Sequence, residues 1–317
     1  MNDRTLFIIN PLAARGTTAR LWRQVRPALQ RSGLCFDEHL TKGAGEATTL
    51  TRHALQHGIN RIVAVGGDGT LNEILNAYLD DDGRPINPAA AIGLLPSGTG
   101  SDFRRTVGLI NTDAALRAVT GQHTRMLDAM RVTFQNERGE QVSRYSLNIV
   151  TFGLGGEAVA LVNAWRHRLP RWVGGRIRFT AAALRALGRY RNVATRVLID
   201  DERESRLSTN LLIIANGRFA GGGMLFAPHA APDDGWLDVI LTDQATRLDV
   251  IKELPRIQRG SYLANPRVTA TRARTISVIS DEPMRMEFDG ESAGLTPVAV
   301  TVLPRCVRFL CNGDTQK

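Results

Sequence analysis

Val65-Gly66-Gly67-Asp68-Gly69-Thr70-Leu71-Asn72-Glu73 is the stretch whose reading decides the fold. A short apolar, β-branched run from Ile62 to Val65 feeds into three glycines within four residues. After Thr70 the pattern becomes Leu71, Ile74, Leu75, Tyr78 and Leu79, one apolar face of a helix. Strand, glycine turn and helix form an arrangement that points backbone N–H groups and a helix N-terminus at a phosphate. A carboxylate beside phosphate needs a cation between them, so Asp68 implies Mg²⁺ with a nucleotide. Three glycines alone fit an ordinary strand-to-helix turn equally well; Asp68, Thr70 and Asn72 favour the phosphate loop.

Outward from that loop, the first 128 residues alternate strand and helix. Arg4 to Asn10 reads as a strand ending in a turn, Thr17 to Arg31 as a helix in which Pro27 starts or kinks a turn, and Phe36 to Leu40 as a second strand. Glu46 to His57 is helical and stops at Gly58. Ala89 to Leu95 is a further strand ending in Pro96-Ser97-Gly98-Thr99-Gly100, and Asp113 to Thr120 a helix stopped by Gly121. This order predicts a parallel sheet with helices on both faces, with ligands at the carboxyl ends of the strands. Asn10, the Gly66–Thr70 turn and the 97–100 turn all fall at such ends.

From about Met130 short alternating strands dominate: 130–134, 145–152, 194–199, 210–216, 237–241, 275–280, 284–288 and 298–303. They predict a mostly antiparallel β-sandwich, interrupted by one helical stretch over roughly Ala158 to Tyr190. The expected domains are 1–128, a nucleotide-binding α/β catalytic domain, and 129–317, a β-rich domain. Gly153-Leu154-Gly155 lies outside any βαβ unit and reads as close backbone packing. His53 and His57 lack an accompanying acid pattern and read as exposed surface.

Composition bounds the rest. The chain has 317 residues, 43% of them hydrophobic, and a formal net charge of +9. No run of about 18 apolar residues exists to span a membrane. The N-terminus lacks a signal-peptide pattern. Cys35, Cys306 and Cys311 have no metal or disulfide spacing, which fits a reducing cytoplasm. The positive charge invites an acidic partner, yet nearly all of it is arginine, with lysine only at 42, 252 and 317. That bias is equally a signature of genome composition. The window Ala158–Ile199 holds nine arginines and no acid, interleaved with Trp165, Trp172, Phe179 and Tyr190. It reads either as a membrane-surface element, with Arg166, Arg168 and Arg171 meeting lipid phosphates, or as a solvated helix face. Nucleic acid is the less favoured partner, because no nucleic-acid fold signature accompanies it.

The glycine loop with Asn72-Glu73 resembles the nucleotide loop of diacylglycerol kinase-type catalytic domains, a loop shared with NAD kinases and loosely with phosphofructokinases. Leu95-Pro96-Ser97-Gly98-Thr99-Gly100-Ser101-Asp102-Phe103 is similar to that family's second loop. Gly221-Gly222-Gly223-Met224, Ala227-Pro228, the segment from Ala231 to Asp238, and Phe288-Asp289-Gly290-Glu291 resemble its second domain. The chain is thereby identified as a member of the bacterial soluble lipid kinases of the diacylglycerol kinase or YegS type. It departs at Ser101, where the family usually has Asn, and at Arg104, where it has Ala.

The resemblance implies a three-layer α/β first domain of the NAD kinase/phosphofructokinase kind. It implies transfer of the γ-phosphoryl group of ATP to a lipid hydroxyl such as that of diacylglycerol. It implies nucleotide contacts from Asn10, Thr41, Gly66, Gly67, Asp68, Gly69, Thr70, Leu71, Asn72, Glu73, Ser97, Gly98 and Thr99. Asp68 takes Mg²⁺ with the nucleotide, and Asp289 or Glu291 acts as general base facing the nucleotide. A structural Mg²⁺ or Ca²⁺ is implied at Asp234 with the carbonyls of Ala231 and Trp236. On spacing alone Asp289-Gly290 is a β-turn. The implied location is cytoplasmic, peripheral to the inner membrane face, with a homodimer left open. An NAD kinase-like enzyme and a catalytically impaired basic membrane-surface binding protein stay as alternatives.

Overall fold

The computed structural model describes residues 4–97, 101–136, 138–165, 174–188 and 190–313, with nothing to be said of the Arg15 side chain. The chain forms two units, Met1–Asp128 with Arg305–Lys317, and Ala129–Pro304.

In the first unit, β1 (Thr5–Ile9), α1 (Thr17–Arg31), β2 (Phe36–Leu40), α2 (Glu46–Gln56), β3 (Arg61–Gly66), α3 (Asp68–Tyr78), β4 (Ala91–Pro96), α4 (Phe103–Thr106) and α5 (Thr112–Thr120) follow one another. β1 pairs in parallel with β2 and β3, and β3 with β4. β4 is buried along its whole length and β3 from Ile62 onward, so both faces of the sheet are covered. α2 packs against α3 and α1 against α5, one helix layer for each face. α1 runs through Pro27 without ending, its stripe of Trp22, Val25 and Leu29 buried. Phe7, Trp22 and Phe36 stack at that edge, with Phe7 and Trp22 ring centroids 5.0 Å apart.

The second unit carries the rest of β5 (Thr124–Gln135), followed by β6 (Gln141–Ser146), β7 (Ile149–Gly153), α6 (Leu154–Ala164), α7 (Gly175–Leu187), β8 (Val193–Ile199), β9 (Arg203–Thr209) and β10 (Leu211–Ala215). Then come the two-residue β11 (Phe219–Ala220) and β12 (Met224–Leu225), β13 (Leu237–Thr242), α8 (Arg247–Ile257), β14 (Val268–Ala273), β15 (Thr275–Ser280), β16 (Arg285–Phe288) and β17 (Glu291–Leu310). The pairings β14–β13–β10–β7–β16–β17 and β17–β15–β8–β9 are antiparallel. Alternation decides the packing. Val150, Phe152, Leu212 and Ile214 enter a core with Phe134, Val278 and Met286, while Ile149, Ile213 and Ile240 face Phe226 and Tyr262.

Several features differ from the sequence reading: the one helical stretch expected over Ala158 to Tyr190 is α6 and α7, the strand expected over 145–152 falls on β6 and β7, and β14 was not expected. A second domain running to residue 317 is corrected, because Arg305–Lys317 group with the first unit. There Phe309 pairs with Ile92 and meets Phe103, and Leu310 fills the space over Gly93. β17 is one 20-residue strand, so its early residues serve one unit and its last residues the other. Finally, α8 and β9 are elements that periodicity did not reveal. α8 contains Pro255; its local signals are a capping box, Thr246 with Asp249, and Val250, Leu254 and Ile257 at helical spacing.

Candidate functional site

β1, β3 and β4 deliver Asn10, the glycine loop and Ser97 to the carboxyl end of the parallel sheet. Asn10 Oδ1 accepts the amides of Leu12 and Ala13, and its Nδ2 donates to Thr70 Oγ1 at 3.2 Å. A Cβ on Gly66 would stand 2.6 Å from Thr70 Oγ1, so glycine lets Thr70 fold back over the strand end. A Cβ on Gly67 would meet nothing within 4 Å among the described residues. No side chain caps α3, and the dipole at its N-terminus favours an anion. Ser97 Oγ lies 2.6 Å from Thr18 Oγ1, and the Thr41 hydroxyl turns back to the carbonyl of Ile9.

Three expected nucleotide contacts have other occupations. Leu71 is buried in the core, which leaves only its backbone for a ligand. Asn72 Oδ1 accepts from Asn76 Nδ2 at 3.1 Å. The carboxylate of Glu73 accepts the Ala47 amide in the first turn of α2 at 3.1 Å; it caps a helix. Gly69 sits in the first turn of α3. Gly98 and Thr99 lie outside the described residues.

The chemistry concentrates at Asp68. Its Oδ1 accepts from Ser101 Oγ at 3.2 Å and its Oδ2 from the Asp102 amide at 2.7 Å. Ser101 and Asp102 are both buried. Arg105 Nε stands 3.7 Å from Asp102 Oδ1. Burial, then the charge of Arg105, lowers the Arg104 guanidinium from its usual range, and the charges of Asp102 and Asp68 oppose that shift. Asp68 and Asp102 beside a hydroxyl make an all-oxygen set of the kind Mg²⁺ takes. Among the described residues no cluster of three or more His, Cys, Asp or Glu could hold an ion unaided.

In the second unit, Asp289 and Gly290 form the turn between β16 and β17 with φ of 51° and 86°. Asp289 Oδ1 accepts from Ser146 Oγ at 2.8 Å and the Asn148 amide at 3.2 Å, and Oδ2 faces the Leu147 amide at 3.4 Å. Glu291 is solvent-exposed. Behind the turn sits Glu287, 4% exposed, a residue that sequence reasoning missed. It accepts from Thr151 Oγ1 at 2.8 Å and from the Gly290 amide at 3.1 Å. Its position two residues before Asp289 in an alternating strand was the available signal. A Cβ on Gly155 would stand 2.2 Å from Thr151 Oγ1 and one on Gly156 2.4 Å from the Arg285 carbonyl. Close packing of α6 on this network is what those glycines serve.

The expected structural cation meets a competitor. Asp234 Oδ1 accepts the Trp236 amide at 3.0 Å, and Oδ2 pairs with Arg272 Nη1 at 3.3 Å. Arg272 Nε also stands 3.9 Å from Asp238, and Arg274 lies over the Trp236 ring at 4.5 Å. A divalent ion at Asp234 would sit against a guanidinium, so the residues around Asp234, Ala231 and Trp236 do not fit it as arranged.

The basic window divides. Arg166, Arg168, Arg171 and Trp172 lie outside the described residues. Phe179 packs on Phe226 with centroids 6.3 Å apart, and burial pushes the Tyr190 hydroxyl up to about 12. These two aromatics are half-buried and pack against the apolar clusters beside α6 and α7.

Residues 4–132 match the diacylglycerol kinase catalytic domain, and residues 148–311 match the YegS C-terminal NAD kinase beta sandwich-like domain. The diacylglycerol kinase of Mycobacterium tuberculosis is 27% identical over 305 residues, covering 96% of this chain and 93% of the relative. That of Bacillus subtilis is 26% identical over 297 residues, covering 93% and 91%. A solved structure from Bacillus anthracis covers 99% of both chains at TM-score 0.77 and 22% identity. A diacylglycerol kinase structure from the same organism covers 98% of both at TM-score 0.70 and 20% identity.

Proposed function

Because this chain belongs to the bacterial diacylglycerol kinase family, which phosphorylates alcohol acceptors, we propose that it transfers the γ-phosphoryl group of ATP to the hydroxyl of diacylglycerol or a related glycerolipid. The observation that carries the reading is the junction at Asp68. One carboxylate of the glycine loop is held by a hydroxyl and an amide of the second loop, so a nucleotide bound there meets two loops already fixed to each other. Such preorganisation is what phosphoryl transfer asks of a protein, since the work is positioning and charge neutralisation. Mg²⁺ bound with the nucleotide supplies charge to the phosphates; Asp68, with Asp102 beside it, would hold it. Arg104 adds a positive charge near this junction.

The acceptor hydroxyl loses its proton as its oxygen bonds to the γ-phosphorus and the bond to the β-phosphate oxygen breaks, releasing ADP. A carboxylate must take that proton. Asp289 already receives a hydroxyl and backbone amides; its role in this reading is to anchor the turn. Glu291, exposed on the same turn, is the proton acceptor. Lipid that does not leave a bilayer requires the enzyme to come to the membrane. Among the described residues no helix is long and apolar enough to cross one, so that approach is peripheral.

The test is incubation with labelled ATP, Mg²⁺ and a panel of lipid alcohols in mixed micelles. Label in the lipid extract supports the proposal. Label on added NAD would transfer the reading to an NAD kinase, and no transfer to any acceptor would leave a binding protein.

A further inference from the structure

α7 and α8 are neighbours in the second unit: Val250 of α8 packs against Ala186 and Leu187 of α7. Each helix buries one side and leaves a second stripe in solvent. On α7 the buried set is Ala182, Ala183, Ala186 and Leu187, while Ile177, Ala181, Leu184 and Arg185 are exposed at helical spacing. On α8 the exposed stripe is Leu248, Ile251, Lys252 and Pro255, with Arg259 just past its end.

The character of the two stripes is the same. Ile177 is 63% exposed, Leu184 44%, Leu248 66% and Ile251 46%. They are four of the nine large hydrophobics exposed among the described residues, gathered on two adjoining helices. Scattered apolar residues need no explanation, but a cluster marks a surface that meets something. Both helices carry a net positive charge. α7 contains no acid. The two acids of α8 are taken up: Asp249 closes the capping box and pairs with Arg267, and Glu253 holds Arg256 and Asn265. Arg185, Arg247, Lys252 and Arg259 have no carboxylate at ion-pair distance among the described residues.

Apolar tips beside basic side chains that hold no carboxylate at contact distance are complementary to one kind of surface, a bilayer whose headgroups are anionic and whose acyl region lies just beneath. A soluble acidic protein would satisfy the charges and leave the apolar tips unexplained. We propose that the exposed faces of α7 and α8 are the pad on which this protein seats on an anionic membrane, with Ile177, Leu184, Leu248 and Ile251 entering the headgroup boundary and Arg185, Arg247, Lys252 and Arg259 meeting lipid phosphates. The pad rests on the lipid-kinase reading for its purpose, and its geometry belongs to the second unit alone. Long basic side chains extend their charges while their methylenes stay apolar, so the two residue types act together.

Sedimentation with vesicles tests the pad without reference to catalysis. The probes are phosphatidylcholine vesicles and vesicles of equal parts phosphatidylcholine and phosphatidylglycerol, each at two salt concentrations. The parent should bind the anionic vesicles at least about tenfold better, and less well as salt screens the charges. The variant Ile177→Ser/Leu184→Ser/Leu248→Ser/Ile251→Ser should lose about tenfold or more, and Arg185→Gln/Arg247→Gln/Lys252→Gln/Arg259→Gln should lose the preference for anionic lipid. All eight positions are exposed, and thermal unfolding of each variant checks that the fold is kept. Leu248→Ser alone, with Lys252→Gln alone, serves if a multiple variant does not fold. Phosphorylation of a short-chain, water-soluble diacylglycerol should be unchanged in every variant. Variants that bind vesicles like the parent, or a parent indifferent to lipid charge, overturn the pad. A parent that is dimeric by light scattering and a serine variant that is monomeric would also overturn it, assigning the surface to a second copy of the chain. Absence of lipid phosphorylation by a parent that binds vesicles would instead count against the function.

Discussion

Ser101 Oγ donates to Asp68 Oδ1 across 3.2 Å, joining the second loop to the glycine loop. The position is one at which the family usually carries Asn, and a hydroxyl supplies the single donor needed there. A hydrogen bond to a charged group contributes about 1.5–3 kcal/mol. Ser101→Ala should therefore weaken ATP binding about tenfold or more by calorimetric titration, while Ser101→Asn should retain most of it. Equal affinity in parent and alanine variant would disconnect this contact from the nucleotide.

Gly66 and Gly67 should behave differently although they are adjacent. Gly66→Ala drives a methyl into Thr70 Oγ1, which disturbs the Asn10–Thr70 contact; unfolding temperature and ATP affinity should fall together. Gly67→Ala meets no atom of the described residues within 4 Å and should leave the unfolding temperature unchanged while reducing ATP affinity. Parallel thermal melts and titrations separate the two. A Gly67→Ala protein that binds ATP normally would show that no phosphate approaches on that side.

The two carboxylates of the β16–β17 turn should divide stability from turnover. Asp289→Asn weakens an anchor that receives Ser146 and backbone amides, at a cost of about 1.5–3 kcal/mol, visible in urea unfolding. Glu291→Gln should leave the urea midpoint in place and slow lipid phosphorylation by roughly 10²-fold or more. Full activity in Glu291→Gln would remove it as proton acceptor. Thr151→Val should resemble Asp289→Asn, because it removes one of the donors to the buried Glu287 and leaves the Gly290 amide.

Arg272 should make the Asp234 turn indifferent to divalent ions. A chelator should not move the unfolding temperature of the parent protein in the absence of nucleotide. In Arg272→Ala, Mg²⁺ or Ca²⁺ should raise it. Burial raises the Asp238 carboxyl and Arg272 opposes that shift. A carboxyl raised on folding adds stability that is fully present below its unfolded value and lost as pH rises through the folded one. Arg272→Ala should therefore steepen the fall in stability as pH rises from the acid range. A chelator effect on the parent would restore the cation to this turn.

Much of the first unit was legible because its signals are local. The Ile62–Val65 run, the glycines and the spacing from Leu71 to Leu79 fix strand, turn and helix within eighteen residues, and three strand ends with polar loops predict where a ligand goes. The antiparallel character of the second unit was legible from alternation. α8 was not, although Val250, Leu254 and Ile257 recur at helical spacing, because Pro255 interrupts the pattern.

Sequence by itself determined the order of elements, the phosphate loop and the family. Tertiary structure alone decided which groups meet. Ser101 reaches Asp68 across 33 positions, Thr151 reaches Glu287 across 136, and Asp289 collects donors more than 140 positions upstream. Phe309 returns to pair with Ile92, and Arg272 arrives on β14 to take the oxygen offered to a metal. The reason is physical: periodicity records which face of an element is buried, but the partner of a polar group is set by strand register and crossover, and these are fixed only when the sheets assemble.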